Sequence, residues 1–290
     1  MTHRVYHRLI RLLLLVVSVA GGASQAAFAN ICLGGTSYHR SLTSVFNDAQ
    51  SWRQSDGGIW ATEYPWGRTN PGADDAAFHL DETQGLGYDP FSYDASTRAL
   101  AIQAQTVEAA GLQSSQVDGY NYVSGVMSTA GPSRTAFAQG DGYVELDAKL
   151  PSGQGFWPSF WALQIAGTQG AEVDAFEVLD TATHAIYESW HNAGQGGSTE
   201  WDAPFSASSG FHRYGVLIAS GYASYYVDGA PTGVTYASPF TGPAYWMISF
   251  SIGGVDSWPG PPDASTSWPG LFYVRAFKAW APTGDPCSKE

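Results

Sequence analysis

Short apolar segments separated by turn residues follow one another along the chain after residue 29. Segments such as 100–104, 143–148 and 245–251 alternate apolar and polar side chains or resemble buried strands. Gly (34) and Pro (16) are abundant, which is typical of strands joined by turns rather than of helices. Asp228-Gly229 supplies the positive φ that a tight hairpin needs. The pattern predicts an all-β protein, and 290 residues fit a single domain of this class.

One predicted strand sets the carboxylates Glu172, Asp174 and Glu177 among apolar residues. Strict alternation puts Glu172 and Asp174 on one face and Glu177 on the other, because Glu177 comes five residues after Glu172. A β-bulge at Ala175 and Phe176 returns Glu177 to the first face. The Cα atoms of the two glutamates are then roughly 13 Å apart. Their side chains close this gap to about 5 Å, the separation found in retaining glycosidases. Three acids on one strand face also occur on solvated surfaces, so the flanking sequence decides between the two readings.

Several flanking segments carry a family pattern. They are Gly155-Phe-Trp-Pro-Ser-Phe-Trp161 and residues 121–125, 142–150, 211–216, 225–229, 252–254 and 258–263. Together with the acidic strand they resemble glycoside hydrolase family 16, which holds the laminarinase-type endo-β-glucanases and related bacterial glycanases. The resemblance extends over most of the chain after residue 29.

This resemblance implies a jelly-roll β-sandwich, concanavalin A-like, with an open glycan-binding cleft on its concave sheet. It implies that Glu172 is the nucleophile, that Glu177 is the acid/base and that Asp174 assists them. The five-residue spacing of the glutamates matches the bulged branch of the family, which favours β-1,3-type backbones.

Aromatic side chains are the expected sugar-binding groups. Trp157 and Trp161 share a face of the strand before the acidic one, where the family lines its cleft. Trp66 and Trp258 lie in predicted loops, where packing explains an indole ring less readily. We therefore expect these four tryptophans to contact substrate, with core packing as the alternative for Trp157.

Two further positions are candidates for substrate binding. His191 follows the acidic strand by one hairpin and is expected to face the cleft near Glu177, unless it is a structural histidine. Ser249, in Ser249-Phe-Ser251, stands where the family often has Asn followed two residues later by Ala. The family's Asn-Glu-x-Gln stretch is likewise replaced by residues 74–77, Asp-Asp-Ala-Ala. Both departures fall where sugar hydroxyls would bind, so a different polymer stays open.

The N-terminus has the features of an export signal. Arg4, Arg8 and Arg11 precede the apolar residues 12–20, and residues 27–29, Ala-Phe-Ala, offer a cleavage site. We predict a signal peptide over residues 1–29 and one catalytic domain over residues 30–290. The apolar stretch is short for a membrane span, so we expect a secreted or periplasmic protein without a membrane anchor.

Cys32 and Cys287 are the two cysteines, near opposite ends of the predicted domain. An exported protein can oxidise them, and domain termini often lie close together, so a disulfide is expected, with two free thiols as the alternative. Zinc-type ligand spacing is absent from the sequence, and no cofactor or metal ligand is predicted. The resemblance allows a structural calcium ion without indicating its ligands.

The chain is acidic. Its net charge is −13, and loss of the three leader arginines takes it to −16. Such a surface repels nucleic acid and anionic lipid, and it favours a neutral glucan over a sulfated glycan. We expect a monomer whose partner is a polysaccharide.

Three classes of function fit these features. The first is a retaining endo-glycosidase acting on a β-1,3- or mixed β-1,3/1,4-glucan, or on another polymer such as a bacterial exopolysaccharide or an agar/carrageenan-type galactan. The second is a transglycosylase using the same carboxylates. The third is a non-catalytic lectin, which would normally have lost Glu172 or Glu177.

Overall fold

The computed structural model describes residues 30–47, 51–165 and 170–287. The predicted signal peptide, residues 1–29, lies outside the described residues. Within them, helical structure consists of short 3₁₀ segments at Gln54–Asp56, Pro71–Ala73, Glu82–Gln84 and Ser114–Gln116. No helix in this part of the chain has the length and apolar character needed to cross a membrane.

The seventeen strands β1–β17 follow one another along the described chain. In order they are Ile31–Leu33, Thr36–Val45, Ala77–His79, Phe91–Asp94, Ala99–Thr106, Tyr122–Ser124, Val126–Ser128, Gly142–Lys149, Phe156–Gln164, Glu172–Glu177, Ala185–Asn192, Gln195–Asp202, His212–Ala219, Tyr222–Val227, Ala230–Ala237, Ala244–Ile252 and Gly270–Pro286.

Two sheets form the architecture. The larger has eleven strands along the path β15-β14-β13-β8-β17-β5-β6-β3, with β2 and β1 added beside β17 and β4 beside β5. The smaller has six strands in the order β12-β11-β10-β9-β16-β7. Every named pairing is antiparallel except β3 with β6. The all-β jelly-roll sandwich predicted from the sequence is confirmed.

The main core lies between the sheets and is rich in aromatic rings. Phe160 and Phe176 on the smaller sheet pack against Phe277, Phe272 and Tyr214 on the larger one, with ring centroids 4.7–6.3 Å apart. Both faces of β16 are covered, so every one of its residues is buried and its sequence is nearly continuously apolar. This packing leaves the outer face of β9–β11 free to carry a site.

Two local predictions about the larger sheet are confirmed. Asp228 and Gly229 have φ values of 51° and 82° and turn the chain between β14 and β15. Cys32 in β1 is disulfide-bonded to Cys287, just after β17, with a Cα–Cα distance of 5.8 Å. The bond joins the first and last strands of the described chain.

Candidate active site

The acidic strand β10 contains the predicted bulge. Asp174 pairs with Trp161 on β9, but Phe176 pairs with the next residue, Phe160, so Ala175 is the extra residue. Ala175 and Phe176 both belong to the buried core. Because two consecutive side chains point inward, Glu177 returns to the face that carries the other two carboxyls.

That face forms the floor of a cleft of about 520 Å³. All nine residues predicted as catalytic or substrate-binding contribute to its lining. They are Glu172, Asp174, Glu177, Trp66, Trp157, Trp161, His191, Ser249 and Trp258. The cleft also contains Asn70, Ser159, Ser189 and Ser198, which could not be predicted because small polar residues on strands and loops carry no distinctive pattern.

The three carboxyl groups are arranged so that the cluster retains protons. Burial, reinforced by the charge of Asp174, raises the pKa of Glu172. Burial also raises the pKa of Asp174 well above its usual value, with a further contribution from Glu177. Glu172 and Asp174 share a hydrogen bond, so one of these carboxyls supplies its proton. The cluster therefore keeps its protons to higher pH than isolated carboxyls would.

Glu177 accepts a hydrogen bond from Trp157. The indole Nε1–H of Trp157 donates to Glu177 Oε1 at 2.9 Å. Burial raises the pKa of Glu177, and the Trp157 hydrogen bond opposes this rise because it favours the ionised form. Trp157 therefore belongs to the cleft rather than to the core between the sheets, and its indole contacts a carboxylate directly.

His191 lies at the other end of the cluster from the predicted position. It pairs across the sheet with Glu172, whereas Glu177 lies opposite Tyr187. Its Nε2 atom is 3.5 Å from Asp174 Oδ2 and 3.9 Å from Glu172 Oε1. When protonated, His191 lowers the pKa of Glu172 and of Glu177 through its charge.

These residues also form a candidate ligand set for a cation. Glu172, Asp174 and His191 place one donor atom each within 4.8 Å of one another, the one such group among the described residues. Carboxylate and imidazole donors suit a divalent transition metal. The group lies inside the cleft, and buried Asp174 Oδ2 has no hydrogen-bond partner among the described residues.

Trp161 and Ser249 act as a pair in the cleft wall. The indole Nε1–H of Trp161 donates to Ser249 Oγ at 3.1 Å. Ser249 is buried, so its hydroxyl supports the tryptophan ring.

The exposed indoles of the cleft, Trp66 and Trp258, each rest on a tyrosine. Trp66 stacks on Tyr64 with ring centroids 4.8 Å apart and an interplanar angle of 4°. Trp258 meets Tyr187 edge-on at 4.5 Å. Trp66 and Trp258 are 47% and 50% exposed, so each presents a free ring surface to a ligand in the cleft.

A buried polar network supports the Trp66 side of the cleft and was not predicted. Asp75 Oδ2 pairs with His79 Nε2 at 2.8 Å, and the Tyr64 hydroxyl lies 3.5 Å from the same nitrogen. Tyr64 also hydrogen-bonds the side chains of Ser249 and Ser251. The network thus runs from Asp75 to the serine that holds Trp161. Its one signal in the sequence was the departure from the family pattern at residues 74–77.

Comparison with known proteins identifies the family. The sequence profile of the glycosyl hydrolases family 16 matches residues 89–268. The endo-1,3-1,4-beta-glycanase EglC of Rhizobium meliloti (strain 1021) is 31% identical over 254 residues, covering 84% of this chain and 53% of the relative. A second glycanase of that organism, ExsH, is 26% identical over 249 residues, covering 82% and 51%. The chain thus spans about half the length of these curated relatives.

Solved structures agree in fold. The catalytic domain of an endo-1,3-beta-glucanase (laminarinase) from Thermotoga petrophila RKU-1 superposes with a TM-score of 0.69 at 22% identity, covering 86% of this chain and 99% of that one. The endo-beta-1,3-glucanase from Pyrococcus furiosus gives 0.69 at 20% identity, covering 88% and 98%. With the profile match and the similarity to EglC, these findings establish that the chain belongs to glycosyl hydrolase family 16.

Proposed function

We propose that this protein is a retaining endo-glycosidase that hydrolyses a β-glucan containing β-1,3 bonds, either alone or mixed with β-1,4 bonds. The observation that carries the proposal is the bulged strand β10, which sets Glu172, Asp174 and Glu177 on the floor of one cleft. The names of the curated relatives support the substrate class.

In the proposed first step, Glu172 attacks the anomeric carbon while Glu177 protonates the glycosidic oxygen. The bond between carbon and leaving-group oxygen breaks, and a glycosyl ester forms on Glu172. In the second step Glu177, now ionised, takes a proton from water. The resulting hydroxide displaces Glu172, and the two inversions together retain the anomeric configuration.

The surroundings of each carboxyl support this division of roles. Attack by Glu172 requires the shared proton to lie on Asp174, and burial favours this by raising the pKa of Asp174 well above its usual value. The hydrogen bond between the two carboxyls opposes it, because it raises the pKa of Glu172 and lowers that of Asp174. A raised pKa suits Glu177, because a general acid must keep its proton at the working pH.

Internal cleavage is supported by the rings around the cleft. Trp66 and Trp161 lie together on one side, with ring centroids 6.3 Å apart, and Trp258 lies with Tyr187 next to Glu177. Rings on both sides of the carboxyls can hold sugar units on both sides of the bond that breaks. A disulfide supports export to an oxidising compartment, and we propose that the protein acts there as a monomer.

The test is a digest of laminarin, curdlan, lichenan, agarose and bacterial exopolysaccharides by the purified protein, followed through reducing ends and viscosity. We expect reducing ends and an early fall in viscosity with a β-1,3-containing glucan. Products from agarose or an exopolysaccharide alone would contradict the substrate, and no products from any polymer would contradict the activity.

In the same digest Glu172→Gln is expected to be inactive, and Glu188→Gln is the control for replacing a buried glutamate by glutamine. Glu188 is a buried carboxyl on β11 that accepts a hydrogen bond from Thr232 Oγ1 at 2.8 Å and does not line the cleft. Burial raises the pKa of Glu188 to about 8, so it is mostly neutral at pH 7 and glutamine mimics it. The control variant is expected to retain activity.

A further inference from the structure

Asp74 directly follows a segment of the cleft wall. Asn70, Gly72 and Ala73 line the cleft, and the 3₁₀ turn that contains them ends at Asp74. The backbone N–H of Asp74 closes this turn by donating to Pro71 O at 3.2 Å. Asp74 has a φ of 51°, a left-handed conformation that Asp, Asn and Gly adopt more readily than other residues.

Asp74 also forms hydrogen bonds with a second segment, residues 253–260. Asp74 O accepts a hydrogen bond from Gly254 N at 2.9 Å, and Asp74 Oδ2 accepts one from Asp256 N at 2.8 Å. The two segments approach closely, since a Cβ atom on Gly254 would lie 2.4 Å from Asp74 Oδ2. Asp74 therefore joins the segments through both its backbone and its carboxylate.

Asp75, the next residue, holds the chain at residue 252, just before the second segment begins. Asp75 is buried, and its Oδ1 accepts hydrogen bonds from Ala77 N at 2.9 Å and Ile252 N at 3.0 Å. Ala76 N donates to Ile252 O at 2.7 Å. The chain just before residue 253 is thereby held in place, so Asp74 acts on the part of the segment that extends into the cleft.

The segment 253–260, to which Asp74 is hydrogen-bonded, carries one of the exposed indoles. Trp258 lines the cleft and packs edge-on against Tyr187, whose strand position is opposite Glu177. The segment before Asp74 lies beside Trp66, whose indole Nε1–H donates to Thr69 O at 3.1 Å. A contact between the two segments therefore fixes where Trp258 lies relative to the Trp66 side of the cleft.

We propose that Asp74 is a positioning residue whose carboxylate links residues 70–74 to residues 253–260 by a hydrogen bond. This link sets the distance between the indoles of Trp66 and Trp258, which a polysaccharide contacts. The proposal rests on the proposed function. Asp74 lies outside the carboxyl cluster, so its loss weakens the binding of a long glycan and leaves bond cleavage unchanged. Residues 74–77, which replace the family's usual stretch, would thus affect substrate binding through the shape of the cleft.

The test compares Asp74→Gly with Asp74→Asn. Glycine keeps the positive φ and removes the side-chain acceptor, whereas asparagine keeps both the conformation and an oxygen that Asp256 N–H can reach. For Asp74→Gly we expect KM for the polymer to rise about fivefold, the effect of one lost hydrogen bond, with kcat within about twofold of the parent. Asp74→Asn is expected to match the parent in both constants.

Hydrogen exchange gives a readout that does not depend on activity. In Asp74→Gly the amide of Asp256 should exchange about tenfold faster, while amides of the buried strand β16 keep their protection. An unchanged exchange rate of the Asp256 amide would show that its hydrogen bond to Asp74 does not link the two segments, and would overturn the proposal. An unchanged KM, or an equal rise in both variants, would overturn the positioning role. A parent protein without hydrolytic activity would instead refute the proposed function, and the positioning role with it, whatever the exchange data show.

Discussion

At the scale of single residues, the three carboxyls of the cleft differ in what surrounds them. Glu177 receives the Trp157 indole N–H, and Asp174 is the most deeply buried of the three. Glu172 shares a hydrogen bond with Asp174 and lies near His191. Different neighbours allow chemically similar groups to take different roles, because each neighbour favours one protonation state.

Replacing the two glutamates should have different kinetic consequences. Glu172→Gln should lower turnover about 10⁴-fold or more on every substrate, because an amide cannot form the glycosyl ester. Glu177→Ala should slow polysaccharide cleavage about 10²–10⁴-fold but affect activated aryl glycosides far less, since these need little protonation. Steady-state kinetics on both substrate types checks this, and near-parental polysaccharide hydrolysis by either variant would refute the roles.

The hydrogen bond from Trp157 predicts a pH effect. The indole N–H favours the ionised form of Glu177, so Trp157→Phe should raise the pKa of Glu177 further. In the proposed mechanism activity requires protonated Glu177 and is lost as pH rises through that pKa. The alkaline limb of kcat/KM should therefore move to higher pH by about half to one unit.

Trp161→Phe is the matched control for this pH profile. Its indole N–H donates to Ser249 rather than to a carboxyl, so its alkaline limb should stay in place. A limb that moves to lower pH in Trp157→Phe, or that moves equally in both variants, would contradict the assignment of Glu177 as the acid.

The sequence was sufficient to predict nine residues of the cleft lining, but not its small polar residues and not the partners of each side chain. The alternation of Glu172 and Asp174 and the tryptophans at 157 and 161 indicate a shared face. The contact of His191 was predicted near Glu177 and lies near Glu172, because cross-strand partners depend on the register of two strands.

At the scale of elements, β10 shows how one extra residue determines the composition of the site. Without the bulge at Ala175, the spacing of five residues would send Glu177 into the core between the sheets. The bulge therefore decides whether the cleft contains two carboxyls or three.

Changing the length of β10 tests this explanation. Deleting Ala175 removes the extra residue and leaves Glu172, Asp174 and Glu177 on alternate positions of one face, with Phe176 still directed inward. We expect this variant to fold and to retain more polysaccharide activity than Glu177→Ala. Inserting a second alanine after Ala175 instead gives a spacing of six residues, which keeps Glu177 on the cleft face but lengthens its Cα distance from Glu172 to about 20 Å, so activity should be lost. Equal activity of the deletion and insertion variants would contradict the role of the bulge.

Elements close in sequence were easier to predict than contacts between distant segments. The Asp228-Gly229 hairpin depends on adjacent residues and was predicted correctly. The contacts of Asp74 and Asp75 with residues 252–256 join segments nearly 180 positions apart, and no local pattern encodes such a pairing. These aspartates were therefore recognised in the sequence only as departures from the family pattern.

At the scale of the whole molecule, a sandwich of two sheets carries the cleft on its smaller sheet. The aromatic core between the sheets stabilises both, and the disulfide joins the two ends of the larger sheet's chain. The cleft lies on the other sheet, so the disulfide is not in contact with the carboxyl cluster. Stability and chemistry thus depend on separate parts of the molecule.

Reduction of the disulfide should therefore lower stability without abolishing activity. The bond closes a loop of 255 residues, and the entropy of such a loop predicts a fall in melting temperature of about 5–15 °C. Calorimetry with and without reductant measures this fall. A Cys32→Ser/Cys287→Ser variant is the control and should match the reduced protein. Two titratable thiols in the native, unreduced protein would contradict the bond.

The proposed double displacement on a β-glucan by Glu172 and Glu177 determines the anomeric configuration of the first product. Proton NMR can follow a mixed-linkage β-1,3/1,4-glucan from the first minutes of hydrolysis, before mutarotation equilibrates the new reducing ends. We expect the β-anomer to appear first and the α-anomer only later. An α-anomer as the first product would show inversion and would contradict the mechanism.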